Sequence, residues 1–363
     1  MISKIYNDIY FKSIANNIKN ALNEASVSYK IEEFPYAISR IDDSLQYTTR
    51  QITSVTLSSN FIGSYAFVNC SNLSIVNLPN CISISLGAFG NCGLNSASFP
   101  KCTTIGRLAF SNCSLLSIAS FPECTFIDDG AFSKCSSLLT VSFPVCTSIS
   151  EHAFCFCSNL SVASFPECVS IGYYAFSSCY NLVTANFPKC SSITTGTFRD
   201  CYNLINISFP ECTHIGFNGF QNCSCLTTAY FPKCLSTNQS AFADCSSLTS
   251  VNFPLLTAVA FSAFENCINL TTVSIPSVID IQSHAFKNCY NLETISFKGR
   301  YIDNQAFYGC SKLKSVYISD NGVTLYSSDA FANTPIADSS YLGYFGSIYV
   351  PNAYINYYKT NAS

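Results

Sequence analysis

Charge is scarce in this 363-residue chain: Asp, Glu, Lys and Arg together make up 11%, the net charge is -3, and no Lys/Arg-rich block occurs. Nucleic acid and anionic membrane surfaces both call for clustered positive charge, so neither is an expected partner. Long apolar runs are also missing. No stretch approaches the 18 or so uncharged apolar residues of a membrane-spanning helix, which argues against membrane insertion. Lys4, Asp8 and Lys12 interrupt the opening MISKIYNDIYFKS, where a signal peptide would need an apolar core. A role at the cell surface or outside the cell would then require export without a visible leader, or display on a virion.

Catalytic signatures are absent as well. There is no P-loop, no G-x-S-x-G and no H-E-x-x-H. Only three histidines occur, His152, His214 and His284. His152 and His284 hold equivalent places six repeats apart, ~29 Å by strand spacing, too far to share a substrate. Adjacent Asp128 and Asp129 read as a solvated turn. Neither an enzymatic activity nor a cofactor is expected.

What the chain does have is a period. Phe67, Phe89, Phe110, Phe132, Phe154, Phe176, Phe198, Phe220, Phe242, Phe264, Phe286 and Phe307 recur every 22 residues, with two intervals of 21, and Phe331 follows after 24. A fixed period of this length marks a solenoid, in which each unit buries its apolar face against the next. Within a unit the order is Ala-Phe, Cys, Leu, a small or β-branched residue, Phe-Pro, a second Cys and Ile. Leu160, Ala163, Phe165, Cys168 and Ile171 therefore fit the leucine-rich-repeat template of a short strand, a turn and a helical or 3-10 return. Ala163 and Phe165, two apart, share the inner face of that strand, and Val162 and Ser164 point out. The expected fold class is an α/β solenoid: a leucine-rich repeat array of about 12–13 repeats, one parallel strand per repeat, forming a curved slab with helical caps. Asn recurs just before the repeat's Leu, at Asn72, Asn159, Asn181, Asn203, Asn269 and Asn291, and is expected to serve left-handed turns. Pro79 to Pro276 close the strands where no ladder donor is needed.

The segment IGYYAFSSCYNLVTANFPKC resembles the BspA-like branch of leucine-rich repeat proteins, over roughly Ile52 to Phe331. Phe-Pro stands where that family usually has Ile-Pro, and the second Cys column is a further departure. IANNIKNAL with YKIEEFPYAISRI is also similar to a leader preceding such repeats in gut bacteria and their phages. The resemblance implies surface attachment, adhesion or host interaction without enzymatic activity.

The 22 cysteines invite a metal or disulfide reading, but twelve fall in the column from Cys70 to Cys310 and eight in that from Cys81 to Cys234. Paired C-x2-C knuckles, which zinc would require, do not occur. Stacked neighbours would have parallel Cβ vectors, which disfavours disulfides. Buried reduced thiols acting as small hydrophobes are expected, with Cys155 and Cys225, outside the columns, as the more exposed pair.

The outward strand positions, such as Thr140 and Ser142, Thr184 and Asn186, Asn206 and Ser208, Thr228 and Tyr230, predict a small, neutral, polar concave face. Past each Pro runs a column of Lys101, Glu123, Val145, Glu167, Lys189, Glu211 and Lys233, whose alternating signs fit register pairing. Phe156, Tyr173, Tyr174, Tyr180, Tyr202, Phe217 and Tyr230 occupy variable positions. They are candidates either for lateral packing between repeats or for a binding patch, since aromatic side chains anchor interfaces.

Domain organisation reads as an N-terminal helical cap or leader over 1–50, a solenoid over 51–335 and a C-terminal cap over 336–363. Ile5, Ile9, Ile14, Ile18 and Leu22 have helical spacing. The caps could also serve as attachment or homo-oligomer contacts. The expected function is a recognition or adhesion scaffold that binds protein or glycan on a host or neighbouring cell surface. A structural or receptor-contacting phage virion component is the alternative, and an ice- or crystal-binding slab the remote one.

Overall fold

A computed structural model describes residues 53–319, 323–337 and 347–349. The leader and the helical caps expected at the two ends fall almost wholly outside them. The described residues form a parallel solenoid without a helix. Each turn contributes one three- or four-residue strand to a first sheet, from Ser54–Thr56 to Ser347–Tyr349, as the pattern predicts. Each also contributes a two-residue strand to a second sheet, from Phe61–Ile62 to Thr324–Leu325. Register follows the repeat: Ala163 pairs with Ala185 and Ile149 with Ile171.

The helical return that the template suggested is replaced by a run of turns, and the reason lies in where the amides go. Around Phe67, Ala66, Val68 and Cys70 donate back to Gly63, Tyr65 and Phe67, three residues earlier. Tyr65, Phe67 and Asn69 instead donate across to the carbonyls of Leu86, Ala88 and Gly90 in the next repeat, at 2.7–2.8 Å. Alternate amides thus run along the solenoid axis, so the i to i−4 ladder of an α-helix cannot form. The alternation needs left-handed residues at two places per repeat: one just before the Ala-Phe pair (Tyr65, Gly87, Leu108, Gly130, His152, Tyr174, Gly196), one just before the Cys (Asn69, Asn91, Asn112, Asn222). The asparagines expected to serve left-handed turns, those before Leu, do not have that conformation. They stack as an amide ladder, Asn181 donating to Asn159 and Asn203 to Asn181 at 3.0–3.1 Å. The left-handed asparagines sit before the Cys, where a non-glycine residue costs ~1–2 kcal/mol unless its side chain bonds locally; Asn91 donates to Asn69 at 2.9 Å and Asn288 to Asn266.

The core consists of two phenylalanine stacks. Rings of the Ala-Phe column from Phe67 to Phe331 lie nearly parallel, 5.1–5.5 Å apart. The strand column Phe99, Phe121, Phe143, Phe165 and onward stacks beside it, tilted against the first, as with Phe176 and Phe187 at 65°. Within a column the rings stack nearly parallel, and between columns they are tilted or edge-on, the edge-on contact being one that the ring quadrupole favours.

The first-sheet ladder is interrupted three times: between Ile75–Asn77 and Ser96–Ser98, between Thr140–Ser142 and Val162–Ser164, and between Asn206–Ser208 and Thr228–Tyr230. At each interruption a large mid-strand residue is followed by alanine: Val76 by Ala97, Val141 by Ala163, Ile207 by Ala229. The extra methyls hold one strand outward and the alanine lets the next settle into the core, so their bonding groups no longer face. Val76, Val141 and Ile207 are accordingly only partly buried. The ring stack also widens there, to 5.8 Å between Phe143 and Phe165 and 6.3 Å between Phe209 and Phe231. After Ala229 the mid-strand residues are all β-branched, and that sheet continues unbroken to Tyr349.

All 22 cysteines are free thiols, and all are buried except Cys225, which is half-buried. Cys155, expected to be exposed, is 6% accessible because the turn from which it projects packs on the next repeat. The columns have separate hydrogen bonds. In the first, each thiol from Cys92 onward donates to a phenylalanine carbonyl one repeat back, Cys179 to Phe154 and Cys201 to Phe176 at 3.2 Å. In the second, it donates to the carbonyl two residues on, Cys168 to Ser170 and Cys190 to Ser192. A small apolar side chain carrying one weak donor suits both places. Burial pushes the Cys81 and Cys146 thiols up to about 11 and Cys102 to about 12.

One core position is imperfect. Thr237 stands where neighbouring repeats have Ile215 and Val259, and its hydroxyl is buried without a hydrogen-bond partner. An unsatisfied buried hydroxyl costs ~1–3 kcal/mol. Thr237→Val is therefore expected to raise stability by about 1 kcal/mol in urea unfolding; an unchanged or lowered midpoint would contradict this account.

Candidate functional site

A site can be built only from what the repeat leaves outward. The inner residue of each long strand is taken by the core, so the two flanking residues face solvent. Along one row these are Ser142, Ser164, Asn186, Ser208, Tyr230, Asn252, Ser274, Ser296, Tyr317 and Tyr349; along the other, Thr140, Val162, Thr184, Asn206, Thr228, Ser250, Thr272, Thr294, Ser315 and Ser347. No residue in either row, from Ser54 to Tyr349, carries a charge. The neutral polar face read from the sequence is present, and in the first repeats Ile75 and Ile118 also stand on it.

The rows differ from their flanks in how hydroxyls are used. Beside the first sheet, Ser117 donates to the Asn95 carbonyl at 2.9 Å and Thr249 to Thr227 at 3.0 Å. Beside the second, Thr147 donates to Thr125 and Thr213 to Ser191. Those hydroxyls tie one repeat to the next. On the face itself, Asn186 makes a weak contact with Ser164 at 3.4 Å, whereas the side chains of Thr184, Asn206 and Ser208 bond to no other group among the described residues.

An open depression of about 330 Å³ lies at mid-face, across the three strands Val162–Ser164, Thr184–Asn186 and Asn206–Ser208. Its floor is Ala185, small enough to leave the hollow, with Ile207 beside it and, around the rim, outward hydroxyls and amides together with the apolar Val162. The depression ends at the ladder gap before Thr228–Tyr230. Tyr230, one repeat beyond Ser208 in its row, is 61% exposed.

The seven aromatic candidates do not converge. Tyr230 alone is on the sheet face. Tyr180 and Tyr202 stack on each other at 5.4 Å on the turn that enters the first sheet. Phe156, Tyr173, Tyr174 and Phe217 belong to the turn run between the second sheet and that entry. Tyr174 stacks on His152, and its ring lies over Gly196, where a Cβ would come within 2.2 Å of it. Tyr65 over Gly87 and Leu108 over Gly130 repeat this arrangement. Sequence inspection missed the pairing, although a bulky residue followed 22 places later by glycine was its visible sign.

Charged and titratable groups also stay dispersed. Lys189 pairs with Glu167 and Lys233 with Glu211, at 2.5 and 2.6 Å, both exposed, so they act on register more than on stability. Asp129 pairs with Arg107 at 3.1 Å and approaches His152 at 3.6 Å. His214 bonds Ser236, and His284 bonds Gln305, each within its own pair of repeats. Among the described residues no group of three or more His, Cys, Asp or Glu could hold a metal ion, and no helix is long and apolar enough to cross a membrane.

The family described as BspA type Leucine rich repeat region, in six copies, matches residues 4–117, 125–248 and 235–349. No curated protein matches the chain. Among solved structures, a leucine-rich repeat protein from Bacteroides ovatus is similar, with 20% identity, 84% of this chain and 85% of that one covered, and a TM-score of 0.49. A leucine rich cell surface protein from Faecalibacterium prausnitzii is 24% identical over 78% of this chain and 82% of its own, with a TM-score of 0.42. A leucine-rich repeat protein from Eubacterium ventriosum is 20% identical over 85% and 89%, with a TM-score of 0.42.

Proposed function

The chain belongs to the BspA-type leucine-rich repeat family, and from that premise we propose that it is a non-enzymatic recognition scaffold whose contact surface is the outward face of the first sheet. The observation that carries this reading is the absence of charge from both rows of that face along the whole array. Charged side chains occur beside it, in the Glu167–Lys189 and Glu211–Lys233 pairs, so the neutrality belongs to the face and not to the chain at large. A neutral face of short side chains has little conformational entropy to lose on contact and no ions to desolvate. Rigid stacking of each repeat on the next fixes the spacing of its donors and acceptors. Of the aromatic candidates, Tyr230 is assigned to contact, and Tyr174, Tyr180 and Tyr202 to packing between repeats. Phe156, Tyr173 and Phe217 are exposed on the turns and offer a secondary surface.

Ice binding, the remote alternative, calls for uninterrupted rows of one small side chain, and Ile118, Val162 and Tyr230 interrupt these. The recognition reading is tested with immobilised full-length protein challenged by an array of host cell-surface glycoproteins and glycans. Asn252→Lys, which places a charge on the face, is expected to abolish the captured signal, and Tyr202→Ser, on the turn, to leave it intact. The reverse pattern would remove the sheet face from the proposal.

A further inference from the structure

We propose that the mid-face depression is a subsite for an uncharged, extended polysaccharide lying along the solenoid axis, with Tyr230 stacking on a sugar ring at its edge. This rests on the recognition reading above and names its ligand class.

At about 330 Å³ the hollow is at the small end of the range for ligand sites, and it is open and spans three successive strands. A chain molecule lying across those strands can extend beyond the hollow along the exposed rows. Ala185, Ile207 and the outward Val162 give it an apolar lining, while Ser164, Thr184, Asn186, Asn206 and Ser208 present hydroxyls and amides. A pyranose is divided in the same way, with C–H groups on the ring faces and hydroxyls around the edge.

Among the described residues the side chains of Thr184, Asn206 and Ser208 have no hydrogen-bond partner, whereas flank hydroxyls such as those of Ser117 and Thr249 are engaged between repeats. Neutral donors and acceptors left open around a hollow match the vicinal hydroxyls of a sugar, and the Asn206 amide can both donate and accept. Strands succeed one another at ~4.8 Å, close to the advance per ring of an extended β-linked hexose chain, so one ring can meet one repeat.

A polyuronate or sulfated glycan would shed water from its anions against a face offering no cation, which is costly. A protein partner ordinarily gains register and specificity from charge complementarity, and this face has none to give. Tyr230 supplies an exposed aromatic face one repeat beyond Ser208, where a ring emerging from the hollow would meet it.

Affinity electrophoresis of the full chain through gels containing hydroxyethyl cellulose, glucomannan or polygalacturonate tests this directly. Retardation is expected in one or both neutral gels, unchanged by added salt, and not in polygalacturonate. Ser208→Arg and Tyr230→Ala, both at exposed positions, are each expected to weaken retardation by about tenfold or more with the melting temperature preserved. No retardation in either neutral gel overturns the proposal, as does retardation that both folded variants retain. If glycoprotein capture is lost in the same variants while no neutral polysaccharide binds, the ligand class falls and the recognition face stands; if neither binding responds to them, both fall.

Discussion

Raising the pH from 8 to about 10 is expected to unfold the array in a narrow transition. Eighteen thiols are held above their ordinary value. Burial is the leading cause in all of them except Cys92, where the hydrogen bond with the Cys70 thiol comes first. A raised folded-state value favours the protonated native form. Its stabilising contribution is complete below the ordinary thiol pKa of about 8.5 and is lost as pH rises, because the unfolded chain then releases protons that the folded chain retains. Each such thiol gives up ~1.4 kcal/mol per pH unit in that range, so eighteen together give up on the order of 25 kcal/mol per unit. That exceeds the ~5–15 kcal/mol by which domains are usually stable. Circular dichroism followed alongside thiolate absorbance should show structure and thiol protons leaving together. Replacing Cys124 and Cys168 by Ala should shift the midpoint upward. Structure persisting beyond about pH 11 with the thiols still protonated would show that the columns do not govern alkaline stability.

The other large effect is expected from Phe176→Ala. Phe176 is fully buried, stacked on Phe154 at 5.2 Å and Phe198 at 5.5 Å, and met edge-on by Phe187 at 5.6 Å. Truncating a buried phenylalanine costs ~3–5 kcal/mol through lost transfer energy and the cavity left behind. In an array where each repeat touches only its neighbours, the loss is concentrated at two joints. Urea unfolding should therefore become less cooperative as well as shifting its midpoint, and amide exchange should accelerate first around Cys157 to Cys201. Tyr202→Ala, which removes an exposed stack on Tyr180, should cost under about 1 kcal/mol. Equal losses from the two would mean that the inner column is not the main source of stability.

The period, the inward Phe and Cys columns and the neutral face were legible in the sequence because each depends on one side chain recurring at one phase. The turns were not. A helical return was a fair expectation for the roughly twelve residues between strands, such as 172–183, but the choice was made by backbone amides that alternate between their own repeat and the next. Asn69, Asn91 and Asn112 carried the sign of it, since asparagine accepts a left-handed backbone, yet Lys134, Phe156 and Ser178 hold the same place and blur the column. The second strand escaped notice because two residues such as Ser170–Ile171 are too short to show alternation. The depression was hidden for a different reason: it depends on Ala185 lying between outward-facing neighbours, and the size of an inward residue says nothing by itself about an outward surface.

The gaps in the two sheets never coincide. Where the long strands part, between Asn206–Ser208 and Thr228–Tyr230, His214 still pairs with Ser236 in the other sheet. Where the short strands part, between Ser170–Ile171 and Ser192–Ile193, Val162–Ser164 still pairs with Thr184–Asn186. The turn amides cross every joint from Tyr65 to Gly309. Like courses of brick laid in running bond, the described repeats have no through-going plane of cleavage, and the array can take up a curve at each staggered joint while remaining one piece under load.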